Sequence, residues 1–112
     1  VVNLRVAVAS SDGKEVNLHF GKAKNLYIYD IDDEDINFIE ERFVDVSDEI
    51  KHQGSKVIDA VPDCEVVFVV QYGPKTKIKA KNANLKLVED EGPIEEVLKR
   101  YIAHLKFMKD PL

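Results

Sequence analysis

One cysteine, Cys64, stands in a chain of 112 residues, so an internal disulfide and every multi-cysteine zinc or iron–sulfur motif are excluded. Long apolar runs are missing too. The longest apolar run without a charge or amide is Val66-Val67-Phe68-Val69-Val70, far short of the ~20 residues that a membrane-spanning helix needs. The amino terminus, Val1-Val2-Asn3-Leu4-Arg5, has neither the basic n-region nor the apolar h-region of a secretory signal. A cytoplasmic protein without membrane association is the expectation. The chain begins with Val rather than Met, as a processed or excised piece would. Four Pro and five Gly are too few for low-complexity disorder, and 45% hydrophobic residues suffice for a core. The expected organisation is one domain over residues 1–112.

Enzyme signatures are absent as well. The sequence contains no G-x-S-x-G, no G-x-G-x-x-G, no P-loop and no His–Cys pair with a plausible triad, so an enzyme is not expected. A closed structural zinc site needs four protein ligands, and three scattered histidines with one cysteine have no recognisable spacing.

What is present begins with segregated charge. The net charge is −5, which opposes general binding to nucleic acid or anionic membranes. From Asp30 to Glu49 acidic residues are dense and only Arg42 opposes them, whereas Lys75, Lys77, Lys79, Lys81 and Lys86 run with no acid between. Both runs read as solvated faces or as docking faces. The lysine run lacks the interleaved aromatics that stack on bases, so no nucleic-acid partner is expected.

Leu4-Arg5-Val6-Ala7-Val8-Ala9 alternates and is rich in Val, predicting a strand that ends at the turn Ser10-Ser11-Asp12-Gly13. Residues 26–31 and 36–44 predict two further strands joined by the acidic turn 32–35. Val57, Ile58 and Val61 have helical spacing over residues 54–60, and Pro62 ends that helix. Residues 64–70 read as a strand buried on both faces. Tyr72-Gly73-Pro74 then opens a short Lys-rich helix, residues 85–88 form a fifth strand, and Gly92-Pro93 opens a final helix. That helix carries Ile94, Val97, Leu98, Tyr101, Ile102 and Leu105 in one apolar stripe.

The resulting order is βββαβαβα, an α/β plan with a mixed five-stranded sheet flanked by helices. With the second strand antiparallel to the other four, the loop after the first strand and the starts of the helices lie at one edge. Ligands of open α/β sheets bind at that carboxyl edge. Its loops contain His19-Phe20-Gly21, His52-Gln53-Gly54 and Gln71-Tyr72-Gly73-Pro74-Lys75, so two histidines, two or three helix N-termini, Lys75 and Lys77 are expected around one anion-favouring site. The loop from Ser10 to Asn25 is long enough to be read as functional or mobile. Each residue has a plainer reading: His19 satisfied by backbone carbonyls, His52 a polar residue at a helix start, His104 a surface residue, Cys64 a small buried hydrophobe. A meander followed by β-α units is also the plan of ribonuclease-H-like nucleases, but the strand Leu4–Ala9 carries no carboxylate for paired metal ions.

The segments Val6-Ala7-Val8-Ala9-Ser10-Ser11-Asp12-Gly13, Val16-Asn17-Leu18-His19-Phe20-Gly21-Lys22-Ala23 and Leu26-Tyr27-Ile28-Tyr29 resemble the dinitrogenase iron–molybdenum cofactor-binding family, which comprises NifX- and NafY-type carriers and the C-terminal domain of NifB. Asp63-Cys64-Glu65-Val66-Val67-Phe68-Val69 and Tyr72-Gly73-Pro74-Lys75 extend the resemblance over roughly residues 4–102. It implies a ribonuclease-H-like fold without nuclease activity that carries an iron–sulfur precursor of the nitrogenase cofactor or the iron–molybdenum cofactor itself. The position of its proposed cluster contact is His19. Combined with the edge placement read from the element order, His19 is the expected main metal ligand and His52 the secondary one, with Phe20, Gly21, Gly73, Lys75 and Lys77 around the cargo. The loops contain no cysteine and the three-cysteine radical motif of full-length NifB is missing, so cluster synthesis is not implied. The alternative is a metal-free module that docks a nitrogenase or a cluster-assembly partner.

Overall fold

The computed structural model describes residues 3–47 and 54–109. In chain order the elements are β1 (Asn3–Ala9), β2 (Glu15–Val16), β3 (Asn25–Asp32), β4 (Ile36–Phe43), α1 (Gly54–Asp59), β5 (Val66–Val69), α2 (Pro74–Asn82), β6 (Lys86–Glu89), β7 (Gly92–Pro93) and α3 (Ile94–Lys109). A 3-10 turn over Phe20–Lys22 separates β2 from β3.

Five strands form one mixed sheet in the order β4-β3-β1-β5-β6. β3 is antiparallel to β1 and β4, and β5 is parallel to β1 and β6. The carboxyl ends of β1, β4, β5 and β6 therefore share one edge, as the βββαβαβα reading requires. The short strands β2 and β7 add a separate two-stranded ribbon.

Strand alternation divides the interior into two layers. On one face Val6, Val8, Val66 and Phe68 pack with Val97, Leu98, Tyr101 and Ile102 of α3. Phe68 meets Tyr101 edge to face at 5.1 Å. On the other face Ala7, Ala9, Val67 and Val69 pack with Phe20, Val57 of α1 and Ala80 of α2. Burying each larger side chain contributes roughly 1.5–3 kcal/mol, so the apolar stripe of α3 and the continuous run in β5 hold the sheet from both sides.

Most element ends fall within a residue of the sequence reading, and three features differ by more. The buried strand spans Val66–Val69 rather than 64–70, because the Cys64 N–H turns back to the Val61 carbonyl and the Val70 N–H bonds to Leu18. Gly92-Pro93 does not open the last helix: Gly92 has φ +109°, outside the helical range, and pairs with Val16. The loop from Ser10 to Asn25 is not an unstructured segment, since it contains β2 and the 3-10 turn and buries Val16, Phe20 and Ala23. Among the described residues no helix is long and apolar enough to cross a membrane.

Candidate functional site

The carboxyl edge is built from the chain leaving β1. Ser10 is fully buried there, and its hydroxyl donates to Asp12 Oδ1 (3.1 Å) and accepts from the Gly13 N–H (3.0 Å). Asp12 Oδ1 also accepts the N–H groups of Lys14 (2.9 Å) and Glu15 (3.1 Å), which hold its carboxyl below the ordinary range. Gly13 has φ +73°, and a Cβ there would lie 2.8 Å from the Tyr27 ring, so only glycine completes this turn. Asn17 closes it by accepting the Ser11 N–H and donating to the Ser11 hydroxyl, both at 2.9 Å.

His19 follows on a firmly held backbone. The Leu18 carbonyl accepts from Val70 N–H and the Phe20 N–H donates to the Gln71 carbonyl, both at 3.0 Å, so the residues flanking His19 are tied to the end of β5. Phe20 is buried and Leu18 packs on the same core. His19 itself is exposed in extended backbone (φ −73°, ψ 154°), and among the described residues its ring has no hydrogen-bond partner. The reading of His19 as satisfied by backbone carbonyls does not describe this ring. Leu18 and Gln71 were missed as positioning residues. The apolar–polar–apolar order Leu18-His19-Phe20 is the local signal that the imidazole points outward, whereas nothing local marks Gln71.

The same edge carries the start of α2. Gly73 precedes its first turn without a capping side chain, Pro74 stands at the first helical position, and Lys75 and Lys77 are exposed. Space in front of Gly21 and Gly73 is open, with no atom within 4 Å of where a Cβ would sit. The start of α1 joins them: a Cβ on Gly54 would be 3.4 Å from the Phe20 ring and 3.5 Å from Thr76 Oγ1. The structure thus brings His19, Phe20, Gly21, Gly73, Lys75 and Lys77 to one edge. His52 lies outside the described residues. The third helix start does not join this group, because α3 begins on the opposite face, where the Ile94 N–H donates to Lys14.

Other candidates lie elsewhere. Cys64 is buried before β5, at the far end of that strand from His19, and burial together with Asp63 pushes its thiol up to about 12. His104 is exposed on α3 beside Tyr101. Arg42 is not simply opposed to an acidic face. It makes a bidentate pair with Asp63 (2.7 and 2.8 Å) and bonds to Glu40 (2.7 Å), while Arg5 makes a bidentate pair with Asp30 (2.8 and 3.0 Å) and reaches Asp63 at 3.1 Å. Arg42, with Arg5 beside it, holds the Asp63 carboxyl well below the ordinary range. This chain of charges clamps β1, β3 and β4 to the segment after α1. A groove of about 990 Å³ runs between α3 and the β3–β4 hairpin past Tyr29, Phe38 and Ile102, and none of the expected site residues lines it. Among the described residues no three His, Cys, Asp or Glu side chains are grouped to hold a metal ion.

Known proteins resemble this chain over nearly its whole length. The sequence model of a family described as "Dinitrogenase iron-molybdenum cofactor" matches residues 2–104. Protein NifX of Sinorhizobium fredii is 32% identical over 118 aligned positions, covering 96% of this chain and 74% of the relative. Protein NifX of Klebsiella pneumoniae is 38% identical over 74 positions, 63% of this chain and 46% of the relative. The crystal structure of the protein PH0822 superposes with a TM-score of 0.74 at 21% identity, covering 90% of this chain and 91% of the other. A Methanocaldococcus jannaschii structure superposes with a TM-score of 0.66 at 15% identity, covering 93% and 92%. At those identities the two structures bear on the fold alone.

Proposed function

Because this chain belongs to the dinitrogenase iron–molybdenum cofactor family, we propose that it is a non-enzymatic carrier in nitrogenase cofactor handling that binds an anionic iron–sulfur or iron–molybdenum cluster at the carboxyl edge of its sheet. His19 is the main protein ligand and His52 the second. Lys75 and Lys77 supply positive charge, and Phe20, Gly21 and Gly73 shape the surface. The observation that carries this reading is the exposed imidazole of His19, without a hydrogen-bond partner among the described residues, on a backbone anchored at both neighbours.

The donor set selects the kind of cargo. A bare metal ion in a stable site takes three or four protein ligands, more than the imidazole, and Cys64 is too buried and too weakly acidic to add a thiolate. A preformed cluster brings its own sulfides and needs only terminal ligands. One or two protein bonds also favour release, since few must break at handover.

The test is anaerobic gel filtration of the protein mixed with isolated iron–sulfur precursor cluster, followed by an iron assay of the protein peak. Iron retained by the wild type and lost in His19→Ala supports the carrier reading. Iron retained equally by both moves the site away from His19. Iron in neither favours a second reading, a metal-free module that docks a nitrogenase or cluster-assembly partner. The observation behind that second reading is the α2 lysines, which make no ion pair among the described residues.

A further inference from the structure

β6 is an edge strand of the five-stranded sheet. Its inward hydrogen bonds run from Lys86 N–H to the Glu65 carbonyl and, just past its end, from Asp90 N–H to the Val69 carbonyl, each 3.0 Å. Strand alternation then turns the N–H and C=O groups of Leu87 and Glu89 away from β5, toward the side that carries no strand. Between this edge and α2 lies a groove of about 580 Å³. Ala80, Leu85, Leu87 and Tyr72 form its apolar lining, and Lys77 and Lys81, one helical turn apart, stand on its α2 side.

Around the half of this edge nearest Lys86 the charge is positive on both faces, and the exposed Glu89 at the other end is the one acid of the strand. Lys75, Lys77, Lys79 and Lys81 are all exposed and none makes an ion pair among the described residues, while Arg5, Arg42, Lys99 and Arg100 all do. Lys75–Lys79 and Lys77–Lys81 are like charges at i, i+4, an arrangement that weakens the helix. On the opposite face Lys86 lies over the Tyr101 ring, 5.7 Å from its centroid. Lysines beside a free edge repel most added strands. A strand with carboxylates on both faces is the one they attract.

We propose that β6 and this groove bind an extended acidic peptide segment of a partner protein as a sixth strand of the sheet. The outward groups of Leu87 and Glu89 supply main-chain hydrogen bonds. Lys77 and Lys81 meet carboxylates on one face and Lys86 meets them on the other. An apolar side chain between the carboxylates rests on Leu87 and Tyr72. The site adjoins the cargo site at the carboxyl edge and shares Lys77 with it, while Lys81, Lys86, Leu87 and Glu89 take no part there, so Lys81 is the residue that tells the two apart.

The probe is the capped octapeptide Glu-Glu-Val-Glu-Glu-Glu-Val-Glu, which as an extended strand presents Glu and Val in turn on one face and Glu alone on the other, with the peptide carrying Lys in place of every Glu as control, titrated into the isotope-labelled protein and followed by NMR. The expected result is binding of the acidic peptide alone, slowed hydrogen exchange at the Leu87 and Glu89 amides, and affinity reduced at least about tenfold by Lys81→Glu but kept by Lys81→Arg. Lys81 is exposed, so an unchanged amide spectrum outside the groove shows that the variants remain folded. Equal binding of both peptides, unprotected Leu87 and Glu89 amides, or an affinity indifferent to Lys81→Glu overturns the proposal. Displacement of the peptide by an equal concentration of a short oligouridylate also overturns it, in favour of a nucleic-acid surface.

Discussion

In the first half of the loop after β1, side chains close on the backbone around them. Ser10 and Asp12 collect five hydrogen-bonding groups within a few residues, counting each other's, and Asn17 joins Ser11 twice. In the second half, at His19–Gly21, the backbone is tied to the end of β5 and the His19 side chain is left without a partner among the described residues. The same division separates two charged regions. Arg5 and Arg42 are engaged with Asp30, Asp63 and Glu40, whereas the exposed lysines of α2 make no ion pair among the described residues. The comparison teaches that a polar residue in this molecule is either part of the scaffold or available to a ligand, and that these roles respond differently to substitution.

The sharpest way to break the scaffold side is Gly13→Ala. It forces a side chain into positive φ and against the Tyr27 ring, and the expected loss is about 2–4 kcal/mol in chemical denaturation. Asp12→Ala should follow with a smaller loss of stability, since three groups of the turn lose an acceptor. Its circular dichroism should stay native; a denaturation midpoint equal to wild type would show that the turn does not depend on the carboxylate.

Acid should expose the clamp next. Asp12, Asp30, Asp32 and Asp63 all have carboxyls held below their ordinary range in the folded chain. Their stabilisation is therefore complete above the unfolded value of about 3.9 and is lost as pH falls through the lower folded values. Thermal melts should lose midpoint progressively below about pH 4, and Asp63→Asn should melt lower at neutral pH with a shallower loss in acid.

The smallest effects on stability belong to the other side of the comparison. His19→Ala should change denaturation by no more than about 0.5 kcal/mol while abolishing iron retention in the anaerobic assay. Lys75→Ala with Lys77→Ala should leave stability within the same bound and make iron retention weaker and less dependent on salt. Loss of stability in His19→Ala comparable to that of Gly13→Ala would erase the distinction between the two halves of the loop.

Some of this was legible in the chain itself. The α3 stripe from Ile94 to Leu105 was readable because helical periodicity is a property of near neighbours, and the Val66–Val69 run because burial on both faces leaves no polar position. The carboxyl-edge placement of His19, Gly73, Lys75 and Lys77 followed from element order. Apart from the start of β5, where Cys64 turns back to nearby Val61, the misread features depend on residues distant in sequence. Gly92-Pro93 looked like a helix opener because its partner, Glu15–Val16, lies near the other end of the chain. Arg42 looked isolated among acids because Asp63 arrives only when the chain has passed through α1. Lys86 looked continuous with the lysines of α2 but stands on the opposite face, over Tyr101.

Sequence alone determined the α/β plan, the strand and helix periodicities and the residue types gathered at the carboxyl edge, because these depend on local stereochemistry and on the hydrophobic pattern. Tertiary structure alone decided which charges pair among the described residues, where α3 begins relative to the other helices, and that the His19 ring is exposed without a partner among those residues. Those outcomes are set by hydrogen bonds and contacts between segments far apart in the chain, which no local pattern encodes.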